Sequence, residues 1–97
     1  MSALHYEAGF LRDLDRIVAH LEAHEADDIA ARVADLLESL ELLQRHPLIG
    51  RAAQPPRREL VIGQGGRGYV ALYRYDPLDD MVVVLGLRAQ REAGFAG

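Results

Sequence analysis

Apolar and polar positions change their period twice along this chain, and each change marks a different kind of element. Leu4-His5-Tyr6 offers one alternation before Gly9, enough for a short strand. From Phe10 the spacing becomes helical, with Phe10, Leu14, Ile17, Val18 and Leu21 recurring at i, i+4, i+7, i+8 and i+11. Arg12, Asp13, Asp15, Arg16 and His20 then fall largely on the opposite, polar face. The first helix is expected to end near His24 to Asp27, with Asp27 or Asp28 capping a second one. There Ile29, Val33, Leu36, Leu37, Leu40 and Leu43 repeat the pattern over a longer span. So tight a connection predicts an antiparallel helix hairpin.

Pro47 stops the second helix, because its ring removes a donor and drives the preceding residue out of the helical region. His46-Pro47-Leu48-Ile49-Gly50-Arg51 is read as an exit turn, and the adjacent Pro55-Pro56 as part of an extended, stiff loop. Beyond it the period shortens to that of strands: Arg57 to Ile62, Tyr69 to Tyr75 and Met81 to Leu87 form a three-stranded meander. Gly63-Gln64-Gly65-Gly66-Arg67-Gly68 and Asp76-Pro77-Leu78-Asp79-Asp80 have turn composition. The glycine cluster has no Walker lysine and does not open a helix, so it is read as a hairpin loop and not a phosphate cradle. Met81-Val82-Val83-Val84-Leu85-Gly86-Leu87 is apolar on both faces, as in a strand covered on both sides or central in its sheet. Two helices cover one face, so the other is left to the tail, to loops or to a partner.

Charge changes this picture more than composition does. With 97 residues, 49% of them hydrophobic, the expectation is one domain with one core, residues 1–97. The net charge of −4 hides an asymmetry: residues 1–46 are acidic, while residues 47–97 hold five acidic side chains against seven arginines. All 11 basic residues are arginine. Arginine binds carboxylate or phosphate through a planar fork but is a poor proton acceptor, so chemistry needing a lysine base is excluded. Without cysteine there is no disulfide framework and no thiolate metal site. His20 and His24 stand at i, i+4 but lack a third ligand, so no metal and no cofactor is expected. No basic and apolar leader opens the chain and no apolar run approaches a membrane span, which predicts a soluble cytoplasmic protein with no membrane partner.

Several ordered segments carry a family resemblance: Phe10, Leu14, Ile17 and Leu21, then His46-Pro47-Leu48-Ile49-Gly50-Arg51, and Arg58-Glu59-Leu60-Val61. They continue through Tyr69 to Asp76 and end in Val84-Leu85-Gly86-Leu87-Arg88-Ala89-Gln90-Arg91-Glu92-Ala93-Gly94-Phe95. With these at these spacings, nearly the whole chain resembles the RelE/ParE superfamily of toxins from type II toxin–antitoxin modules, in its ParE-like branch. The resemblance implies an α+β, two-layer fold. A short N-terminal strand and an antiparallel helix hairpin pack on a mainly antiparallel sheet, in the order β-α-α-β-β-β.

It also implies partners. A cognate antitoxin would wrap the toxin with its C-terminal segment, and DNA gyrase is the target of ParE-like members. RelE-like members instead act on the ribosome and its mRNA, cleaving through attack of a ribose 2′-hydroxyl on the adjacent phosphate. That reaction needs a base, an acid and a cation for the developing charge. This chain has no lysine, all its histidines lie at or before position 46, and Ala89 stands where relatives often carry histidine. If it were an RNase, Glu59, Tyr73, Arg74 and Arg88 would carry the reaction, with Tyr69 or Tyr75 as further acids. The other reading of these residues pairs Glu59 with an arginine across the sheet and packs the tyrosines at its edge. Arg58, Arg74, Arg88, Gln90, Arg91 and Phe95 are the candidate contacts for target or antitoxin. Gyrase binding without catalysis is the first expectation, mRNA cleavage the second, and an inactive homologue that only binds antitoxin the third. A homodimer and a toxin–antitoxin hetero-oligomer are both open.

Overall fold

The computed structural model describes residues 1–63 and 68–91. Strand β1 (Ala3–Tyr6) leads into helix α1 (Ala8–Ala23), followed by α2 (Ile29–Glu41) and a short 3-10 turn, Leu42–Gln44. Strands β2 (Arg51–Ala52), β3 (Arg57–Ile62), β4 (Tyr69–Asp76) and β5 (Met81–Ala89) complete one five-stranded sheet in the order β1-β5-β4-β3-β2. Among the described residues only the β1–β5 pair is parallel. The α+β layout expected from the sequence is therefore the one observed. β5 lies between β1 and β4, which accounts for its apolar residues on both faces.

Alternation along the strands sorts the side chains onto two faces. Leu4, Tyr6, Leu60, Ile62, Ala71, Tyr73, Val82, Val84 and Leu87 join the helix residues Phe10, Ile17, Leu36, Leu40 and Leu43 in the core. The intervening positions, among them His5, Arg57, Glu59, Val61, Leu72, Arg74, Val83 and Arg88, form the second face. Val70 and Val83 are buried there too, outside the main core. The tail proposed to cover this face includes residues 92–97, which lie outside the described residues.

The structure adds the two-residue strand β2 within the segment expected to be exit turn and loop, and departs from the sequence reading at five further places. Asp13 lies on the core stripe of α1, 1% exposed, and not on its polar face. Asp28 stands at the N-cap of α2, but with a left-handed φ of 55° and no capping bond from its side chain. The second helix tightens into 3-10 geometry at Leu42, several residues before Pro47, while keeping Leu43 fully buried. Pro55-Pro56, joined by a cis peptide, is part of a tight turn between β2 and β3 rather than an extended linker. Backbone bonds from Ala53 to Arg57 (3.1 Å) and from Arg57 to Gln54 (3.0 Å) close that turn. Finally, Arg88 lies within β5, opposite Val70, and not beyond the last strand.

The first residues are tied to the β4–β5 turn. Ser2 Oγ and Tyr75 Oη both donate to Asp80 Oδ1, at 2.6 and 2.8 Å. These two bonds, that from Ser2 first, hold the Asp80 carboxyl below its ordinary value, and the same contact raises the Tyr75 phenol. A carboxyl depressed in the folded state contributes stability above its unfolded pKa and loses it as pH falls through the folded one. Thermal midpoints are therefore expected to fall below about pH 4 with a contribution from this site. Ser2→Ala with Tyr75→Phe should flatten that part of the profile. An unchanged acid limb in the double variant would show that the contact contributes nothing.

Candidate interaction surface

Gly50 sits where three elements meet. Its N–H donates to Tyr73 Oη at 2.9 Å, and Arg58 Nη1 donates to Gly50 O at 2.9 Å and to Leu48 O at 3.4 Å. Burial raises the Tyr73 phenol, while the Gly50 amide and the Arg58 guanidinium partly oppose that rise. Next along the chain, Arg51 Nε meets Glu59 Oε1 at 3.0 Å across the β2–β3 pair. Because Arg51 is more than half exposed, this ion pair adds only about 0–1 kcal/mol. The Pro-x-x-Gly-Arg segment thus has a local mechanical role: proline follows the 3-10 turn, glycine admits the tyrosine, and arginine neutralises the glutamate.

These contacts separate the candidate residues. Arg58 is directed into the turn, and Tyr73 is fully buried on the helix side of the sheet. Glu59, Arg74 and Arg88 share the second face, with Glu59 held by Arg51. Tyr69 and Tyr75 pack on the helix side with Tyr73, so the described tyrosines of β4 face away from the three charged residues. Gln90 closes the base of the β3–β4 hairpin: its N–H bonds Gly68 O at 3.0 Å and its Nε2 bonds Gly63 O at 3.2 Å. Arg88 Nη1 bonds the carbonyls of Ala89 and Gln90 at 3.3 and 3.5 Å. Phe95, and the glycine loop at residues 64–67, lie outside the described residues.

Arg91 belongs to a different surface. With Arg16, Ile17, His20, Leu21, Tyr69 and Ala89 it lines a groove of about 410 Å³ beside α1. Ala89 is therefore part of the wall of a basic groove, a relation invisible in the order of residues. Arg57, at the start of β3, lies directly opposite Arg74. His20 and His24 are in contact, with ring centroids 4.2 Å apart, and His24 Nδ1 donates to His20 O at 2.9 Å. Among the described residues no three histidine or acidic side chains are grouped as a metal ion requires. No described helix is long and apolar enough to cross a membrane.

Two helices on one face of a five-stranded sheet, with arginines on the other face and along a groove, define a two-layer α+β protein with basic surfaces. Residues 4–94 match the family model of the ParE toxin of the type II toxin–antitoxin system, parDE, and the chain belongs to that family. Among curated proteins none matches the sequence. Family membership makes it the toxin type of component, whose partner is an antitoxin.

Proposed function

We propose that this protein, acting as one domain over residues 1–97 in the cytoplasm, inhibits DNA gyrase by binding it and is neutralised by a cognate antitoxin. The observation that carries the non-catalytic reading is the separation of Glu59, Arg74 and Arg88 from the hydroxyl of Tyr73. That hydroxyl is buried on the other side of the sheet and already accepts the Gly50 amide. Proton transfer needs acid and base within hydrogen-bond reach of one substrate. The second face offers cations instead, with its carboxylate Glu59 held by Arg51.

Purified protein added to gyrase supercoiling and cleavage reactions, and separately to translating ribosomes with labelled mRNA, tests this reading. Trapped gyrase-cleaved DNA with intact mRNA is the expected result. Cuts in the ribosomal A site would replace it with the nuclease reading, and silence in both with tight antitoxin binding would mark an inactive homologue.

Growth arrest gives the residue-level test. Arg88→Ala with Arg91→Ala is expected to relieve it at equal protein level. Because Arg88 and Arg91 occupy different surfaces, the single variants then show whether the second face or the groove meets the target. Full toxicity of the double variant would remove both arginines from the target contact.

A further inference from the structure

Arg57 and Arg74 are register partners on β3 and β4, and both lie on the sheet face away from the helices. Directly opposed residues of an antiparallel pair stand only about 5 Å apart at Cα, close enough for like charges to repel. A protein can relieve that repulsion with a neighbouring carboxylate, and two stand on this face beside the pair. Both are engaged elsewhere. Glu59 is bound by Arg51 at 3.0 Å, and Asp76 Oδ1 accepts the turn amides of Leu78 and Asp79 at 3.0 and 3.4 Å. Among the described residues neither Arg57 nor Arg74 meets an acid. Their cross-strand row continues through Val83 to His5 on β1 and brings no carboxylate between them.

We propose that Arg57 and Arg74 form a two-armed clamp for the carboxylates of an acidic segment of the antitoxin. The proposal rests on the toxin–antitoxin reading and names one place where the antitoxin is held. Two guanidinium forks side by side match a carboxylate pair in charge and geometry, and an arriving acid removes the repulsion that the free protein carries. The surroundings favour a peptide over a nucleic acid. Tyr69, Tyr73 and Tyr75 all pack on the helix side, whereas surfaces that hold single-stranded nucleic acid place aromatic rings among their cations. Along the same face, Leu72 stands two residues from Arg74 and the 45% exposed Val61 four residues from Arg57, positions that suit apolar side chains of an extended peptide.

Glutamine keeps the stem to Cδ and a polar end while removing the charge, so Arg57→Gln and Arg74→Gln test the clamp with less loss of surface than alanine would cause. In the free protein each variant is expected to raise the melting midpoint by about 1–4 °C, because it removes the repulsion. In calorimetric titrations with a hexaglutamate peptide, each is expected to weaken binding roughly tenfold, with both together weakening it by less than the product. Arg45→Gln, an exposed arginine away from this face, is the control and should leave binding unchanged. Hexaglutamine, inorganic phosphate and a decauridylate RNA are titrated in parallel and should bind far more weakly than hexaglutamate.

Unchanged hexaglutamate binding in both variants would overturn the proposal, as would lowered melting midpoints. Tighter binding of the RNA or phosphate that the variants abolish would overturn it in favour of a nucleic-acid or general anion site. Failure of the toxin reading appears elsewhere: expression of the parent protein would cause no growth arrest, whatever the peptide titration gives.

Discussion

Replacing Gly50 with alanine is expected to destabilise the protein by about 2–4 kcal/mol, the sum of overpacking and a weakened buried hydrogen bond. A Cβ at this position would lie 2.6 Å from Tyr73 Oη, 2.7 Å from Tyr73 Cε1 and 2.7 Å from the Glu59 carbonyl oxygen. None of the three can withdraw cheaply. The tyrosine ring is fully buried, and the carbonyl belongs to β3, held between β2 and β4. Any shift that makes room also stretches the bond from the Gly50 N–H to the phenol. Urea unfolding should show a lower midpoint with an unchanged slope, the mark of altered stability without altered exposed area. Tyr73→Phe, which deletes the acceptor, is expected to cost about 1–2 kcal/mol, and the pair should be less than additive because the two changes damage one contact. A Gly50→Ala variant within 0.5 kcal/mol of the parent would show that the turn relaxes in a way the packing does not suggest.

Asp13→Ala should have the next largest effect, about 2–3 kcal/mol, for a reason rooted in sheet topology. β1 accompanies β5 only as far as Val84, after which the chain turns into α1, and Glu7 donates its N–H to Val84 O at 2.9 Å. β5 runs on to Ala89 with no strand on that side among the described residues. The Leu87 N–H there is bonded by Asp13 Oδ2 at 2.9 Å, so the carboxylate stands in for the missing strand. Alanine would leave a buried amide without an acceptor inside the core, which costs more than an ordinary hydrogen bond contributes. Asparagine keeps a carbonyl acceptor and should cost less. Amide exchange reports the contact directly, since Leu87 should lose protection in Asp13→Ala and retain most of it in Asp13→Asn. Equal protection of Leu87 in parent and alanine variant would mean that another acceptor replaces Asp13.

Asp13 also shows where local pattern stops being informative. Phe10, Asp13 and Ile17 are spaced i, i+3 and i+7, so helical geometry alone puts the aspartate on the buried stripe. Residue type argued the other way, because a lone carboxylate in a core needs a partner and none is visible in sequence. The partner lies 74 positions away and exists only because β1 is shorter than β5. Gly50 and Tyr73 repeat this at a separation of 23. Pro-x-x-Gly-Arg was recognisable as a feature of the family, but nothing local says that its glycine makes room for a tyrosine.

The candidate surface was legible in part. Arg74 was identifiable from its place on a strand, whereas Arg88, expected just beyond the last strand, lies within β5; the register places both on the second face. Arg58 was drawn to the same surface by its charge, yet it faces the turn, one residue away in sequence and on the opposite side of the sheet from Arg57. Arg57 became notable only through the register that opposes it to Arg74. That register goes with burial of Leu60 and Ile62 against the core, beside the facing strand, so no scan of β3 by itself could find it.

By itself, then, the sequence determined the two helices, the four longer strands and the family. Those follow from periodicities of 3.6 and 2 and from turn residues, which act over a few positions. Only the tertiary structure decided which polar groups meet: Asp13 with Leu87, Tyr73 with Gly50, Arg58 with the exit turn, and Arg57 opposite Arg74. These depend on strand register and on where one element ends beside another. Such quantities are fixed by packing across the whole domain, and no local stretch of the chain contains them.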